Sequence, residues 1–198
     1  MNANAVTFDS SCIVDGGYDL YDSLAMKVLE KHGMQDDIPA DVALLLSKEG
    51  FSVRQIPLSR DIKGVILVDK DEGNVLNTGS DKLIIVSDAL EYEDARFVSA
   101  HEYGHYVRYK AAEEVLGRDP VNIIEHSLVT TRRLSGVEKF ANTFAICMLM
   151  PKDKVHALRR GLGMRFSDFN DRIRWLADTF HLKEDVVRTR LEMLGLMW

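Results

Sequence analysis

The stretch Arg96-Phe97-Val98-Ser99-Ala100-His101-Glu102-Tyr103-Gly104-His105-Tyr106 decides the reading of this chain. It holds an H-E-x-x-H set inside a segment, Glu93 to about Glu114, whose spacing predicts one long helix. Residues four apart on a helix share a face, so the imidazoles of His101 and His105 can reach one ion. Glu102 points roughly 100° around the helix from His101. It therefore stands beside such an ion rather than on it, placed to take a proton from an attacking water. Phe97, Val98, Ala100 and Val107 give the helix an apolar anchor. The plainer alternative is two surface histidines on an ordinary helix.

Two histidines leave a tetrahedral zinc one protein ligand short of the usual catalytic three. Glu138 is the best candidate, near the start of a second apolar helix predicted over Ser135 to Leu149. Ser135-x-x-Glu138 is also a capping-box pattern, in which the glutamate only closes the helix N-terminus. Periodicity alone leaves both readings open. Asn142, one turn after Glu138 on the same face, is placed either to hydrogen-bond a ligating side chain or to pack as an amide between helices.

Outward from these helices the chain divides by periodicity. Residues 1–18 are small and polar and read as a loose arm. Leu20, Leu24, Val28 and Leu29 predict a helix from Asp19 to a stop at Gly33, and a short second helix begins near Pro39 and ends at Gly50. Phe51 to Ile56, Gly64 to Val68, Val75-Leu76 and Leu83 to Val86 predict a small antiparallel sheet of three or four strands. Gly117 to Leu134 reads as a loop, and three shorter helices follow Pro151, the last two over Ser167–Phe180 and Lys183–Leu194. Helices, then a sheet, then helices define an α+β chain, divided as an arm (1–18), a main domain (19–151) and a C-terminal helical segment (152–198).

The 198 residues, 46% hydrophobic and 28% charged, exclude a disordered, fibrous or coiled-coil chain. No apolar run reaches the roughly 18 residues that span a bilayer. With two cysteines, Cys12 and Cys147, no disulfide framework is expected; with no basic-then-apolar leader before Asp19, neither is secretion. A cytoplasmic protein is expected. The net charge of −6 argues against wholesale coating of nucleic acid. The balance is uneven, with 15 basic against 24 acidic residues up to Met150 and 10 against 7 beyond it. A mildly basic tail can touch nucleic acid or an acidic partner, but a solvated helix surface is the simpler explanation.

The string from Arg96 to Tyr106 resembles the signature of the ImmA/IrrE metallopeptidases. Glu138-Lys-Phe-Ala141-Asn142-Thr-Phe144-Ala145 with Met148-Leu149-Met150-Pro151 resembles that family's second motif, and Leu176-Ala177-Asp-Thr-Phe180 with Val187-x-x-Arg190-Leu191-x-x-Leu194-Gly195-Leu196 a third. The order matches over roughly residues 20 to 196. The resemblance implies a minimal zincin-like (gluzincin-like) fold with His101, His105 and Glu138 holding one zinc ion per chain and Glu102 as general base. It also implies proteolysis of a partner protein, a helix-turn-helix transcriptional repressor of a mobile element, prophage or stress-response locus. Tyr103 stands where leucine is commonest in the family, and Tyr109 where many members carry a further histidine.

An oxyanion stabiliser is expected as well, and by residue type Tyr106, Tyr109, His126 and Arg132 qualify. His32, His156 and His181 lack ligand spacing. The last two helices form a helix-turn-helix-like pair in which Arg188 and Arg190 suit DNA, while Glu184, Asp185 and Glu192 oppose it. Their apolar positions predict packing on the peptidase core, so direct nucleic-acid contact is not expected, nor is a membrane partner. Two rivals stand beside the protease: a non-proteolytic repressor-binding module on the same zinc scaffold, and a DNA-contacting regulator.

Overall fold

A computed structural model describes residues 13–69, 75–116, 122–128, 136–166 and 168–196. Seven helices and four strands are present among them: α1 (Tyr18–Lys31), α2 (Val42–Lys48), β1 (Ser52–Ile56), β2 (Ile62–Asp69), β3 (Lys82–Ser87), α3 (Tyr92–Leu116), β4 (Asn122–Leu128), α4 (Gly136–Leu149), α5 (Lys152–Arg165), α6 (Phe169–Phe180) and α7 (Glu184–Met193). The fold is α+β, with a small sheet against which the helices pack. No described helix is long and apolar enough to cross a membrane.

The strand order is β1-β3-β2-β4. Strand β2 is antiparallel to both neighbours, but β1 runs parallel to β3, with Val53 opposite Ile84. The sheet is therefore mixed, not wholly antiparallel as expected. The cause is that β3 inserts between β1 and β2 instead of adding outside them. Its run Leu83-Ile84-Ile85-Val86 is buried on both faces, as a central strand must be. Ile84 and Val86 join Ile66 and Val68 in the main core under the helices, while Leu83 and Ile85 join Val65 in a small cluster on the opposite face.

Three local expectations are corrected. Helix α2 starts at Val42, not at Pro39, because Asp41 caps it by accepting the Leu44 N–H at 2.9 Å. Val75-Leu76 is not a strand but part of a single 3-10 turn, in which Leu76 has a positive φ of 48° and an exposed side chain. The stretch expected as one loop from Gly117 to Leu134 contains β4, which pairs with β2 through Val65 opposite His126. Strand β4 gives β2 a second partner and satisfies the backbone groups of that edge. The rest of that stretch, and residues 1–12 of the arm with Cys12, lie outside the described residues.

The main core runs without interruption from α1 (Ala25, Leu29) through α4 (Phe144 to Leu149) to α7 (Val186, Val187, Leu191). Arg190, one of the two arginines that would suit DNA, is wholly buried. It donates to the Met150 carbonyl at 2.9 Å and to Cys147 Sγ at 3.3 Å, and pairs with Asp22. It thereby ties α7 to α4 and α1. Burial pushes the Cys147 thiol up to about 12.

Candidate metal centre

Helix α3 lies across β2 and β3 on one side and against α4 on the other. Phe97, Val98 and Ala100 are buried, which fixes the rotation of the helix about its axis. At Gly104 α3 and α4 approach closely: a Cβ added there would stand 3.0 Å from the Cα and carbonyl oxygen of Ala141. The glycine inside H-E-Y-G-H and the facing alanine let the two backbones approach, and this brings the start of α4 over the histidines.

The result is a triad. His101 Nε2 and His105 Nε2 are 3.0 Å apart; Glu138 Oε2 is 3.3 Å from the first and its Oε1 3.5 Å from the second. These ligand atoms all lie within 4.8 Å of one another. Metal–ligand bonds of about 2.0–2.1 Å in a tetrahedron require ligand atoms about 3.3 Å apart. Two imidazole nitrogens and one carboxylate oxygen at these separations fit a divalent metal ion. Both histidines are buried, and the Glu138 side chain is 21% exposed, so the triad has one open side. Its carboxylate is turned onto the histidines, which favours the ligand reading over the helix-capping one.

Asn142 sits one turn further along α4, buried, with Oδ1 2.7 Å from His101 Nδ1. An amide oxygen can only accept, so His101 Nδ1 carries the hydrogen and Nε2 keeps its lone pair for the centre. Glu102 is fully buried beside the triad. Space for its carboxylate comes from Gly64 of β2, where an added Cβ would collide with Glu102 Oε1 and approach Val98 Cγ1 to 2.6 Å. Gly64 was legible only as the start of an apolar strand; the signal that marks it is a glycine inside that strand, which points to close approach of another group.

The remaining candidates separate. Tyr106 is buried in an aromatic cluster with Phe51 (centroids 5.1 Å apart) and Tyr103, under the Lys82 ammonium. It follows the stripe of Tyr103 rather than that of the histidines, and so stands away from the triad. Tyr103, in the position where leucine is commonest, fills the core between Phe51 and Phe144. Tyr109 lies one turn beyond His105 on the same stripe and is half-buried. His126 is on β4 rather than in a loop, and Arg132 lies outside the described residues.

A long helix bearing two histidines, a facing helix supplying a glutamate, and a small sheet beneath are the parts of a zincin-type metallopeptidase. The chain belongs to the M78 peptidases: residues 66–192, well over half of it, match the family model described as the IrrE N-terminal-like domain. Among solved structures it is similar to a Mycobacterium tuberculosis transcriptional regulator, at a TM-score of 0.56 and 17% identity. That match covers 93% of this chain and 48% of the other, so the chain spans about half the length of the regulator. At this identity the likeness shows a shared fold. No curated protein matches the chain in sequence.

Proposed function

We propose that this chain is a zinc-dependent endopeptidase of the cytoplasm that cleaves one or a few partner proteins, foremost a helix-turn-helix transcriptional repressor. The observation that carries this reading is the convergence of His101, His105 and Glu138 on one point with the buried Glu102 carboxylate beside it. The His/His/Glu donor set suits zinc, which is commonly held by imidazole nitrogen and carboxylate oxygen. When bound, the ion supplies a Lewis acid that makes water ionisable near neutral pH and polarises a scissile carbonyl. Glu102 accepts the proton of the attacking water and returns it to the leaving amine. Asn142 holds the His101 ring in the tautomer that ligation needs. Tyr109, one turn beyond His105 on the ligand stripe, is the residue to which this reading assigns the steadying of the oxyanion.

The repressor as substrate rests on the family resemblance of the three motifs, and a narrow target range suits a protease exposed to the whole cytoplasm. The test is zinc content per chain together with cleavage of helix-turn-helix repressors from the same genome, followed by intact mass. The wild type is expected to hold one zinc and to cut. Glu102→Gln should keep its zinc and its binding of the partner, yet cut about 100- to 10,000-fold more slowly. Undiminished cleavage by that variant refutes the mechanism. A zinc-loaded wild type that binds the repressor without cutting it establishes the non-proteolytic module instead.

A further inference from the structure

On the other flank of α3 from the metal centre lies a cavity of about 530 Å³, between α2, the outer strand β1 and the first turns of α3. This is the size of a small-molecule site, typically about 300–1,000 Å³. Val42, Leu46, Val53 and Val86 give it apolar walls. Asp41, Gln55, Ser99 and His181 add polar groups, and the buried charge among the lining residues is Arg96, only 7% exposed. Arg96 Nη1 donates to the carbonyls of Phe180 at 2.8 Å and His181 at 3.4 Å, and Nη2 donates to that of Ala40 at 2.8 Å. These three bonds leave the Nε–H and one N–H on Nη2 for another acceptor.

Arg96 makes no ion pair among the described residues: carbonyl dipoles solvate its charge, and Asp41 acts on it only from a distance. A buried cation in that condition is costly, and burial holds the guanidinium below its ordinary pKa. Asp41 also lines the cavity, but it is exposed at the rim, where water screens it, and its Oδ1 caps α2.

We propose that this cavity binds a small amphipathic carboxylate, its anionic head on Arg96 and its apolar body along Val42, Leu46, Val53 and Val86. Arg96 precedes His101 by five residues on the same helix, so the occupant braces the helix that carries the metal ligands. The site stands whether or not the chain cleaves peptides.

The test titrates the full chain with octanoate, octanol, octylamine and acetate, followed by proton–nitrogen correlation spectra and thermal melting. Octanoate should bind saturably, with shifts confined to α2, β1 and the first half of α3, and should raise the melting temperature. Octanol, which lacks the charge, should bind at least roughly tenfold more weakly; octylamine and acetate should not saturate. Arg96→Lys removes the planar fork but also disturbs three backbone contacts, so the decisive variants sit at exposed wall positions. Ala43→Trp, which fills the cavity, should abolish binding, and Val53→Glu, which adds a like charge, should weaken it at least tenfold. Either of two results overturns the proposal: no saturable binding of octanoate to the wild type, or binding that octanol matches or that Ala43→Trp leaves intact.

Discussion

Replacing Gly64 by alanine tests the packing that creates the site. In a strand with ordinary space, Gly→Ala stabilises by about 0.4–1 kcal/mol, because the unfolded chain loses freedom. Here the new methyl would lie 2.6 Å from Val98 Cγ1, where carbon atoms in contact stand about 3.5–4.0 Å apart, and against Glu102 Oε1. Valine is stiff at χ1, and the Glu102 carboxylate is fully buried, so neither can simply swing away. Overpacking of this kind costs about 1–3 kcal/mol. For a chain of this length that lowers the melting temperature by about 2–12 °C. Because the nearest atoms to the new methyl belong to Glu102 and Val98, metal stoichiometry should hold while cleavage falls. Val98→Ala in the same chain should recover part of the lost stability, a coupling a double-mutant cycle reads directly. Thermal melts of the four proteins, with metal content by elemental analysis, measure all of this. A Gly64→Ala protein that melts at or above the wild-type temperature would refute the reasoning, since it would mean that β2 and α3 are not in contact at this point.

Other outcomes follow from single contacts. Asn142→Ala removes the acceptor for His101 Nδ1; competition with a chelator should show metal affinity about 10- to 100-fold weaker with the fold intact. Glu49 is partly buried, which by itself would raise its carboxyl pKa, but hydrogen bonds from Lys31 and His32 outweigh this and hold it below its ordinary 4.5. A carboxyl depressed in the folded state contributes stability above its unfolded pKa and loses it as the pH falls through the folded one. Urea denaturation of Glu49→Gln should therefore show a smaller loss of stability below about pH 4.5 than the wild type. The Cys147 thiol, pushed up to about 12, should resist iodoacetamide at pH 8 in the native chain and react once urea unfolds it. Mass spectrometry on a Cys12→Ser background reads that site alone, and rapid native labelling would contradict the burial.

Whatever depends on neighbours along one helix could be read from the order of the residues alone. Residues four apart share a face in any α-helix, so the alignment of His101 with His105, and the lateral place of Glu102, were legible in five letters. The long helix, the α4 segment and the last two helices were equally legible from their apolar spacing. What crosses from one element to another was not. The capping box and the metal ligand are the same residue, Glu138, until α3 and α4 are set at the distance that Gly104 and Ala141 permit. The parallel pairing of β1 depends on which strand takes the centre of the sheet, and β4, Asn-Ile-Ile-Glu-His-Ser-Leu, has neither a sustained apolar run nor strict alternation to announce it. Gly64 acquires its role only when β2 is laid beneath Glu102, and Arg190 turns inward only when α7 docks on α4 and α1. Local spacing follows from backbone geometry, which every residue carries with it; the meeting of distant surfaces is settled by the packing of the whole chain, and that exists only in three dimensions.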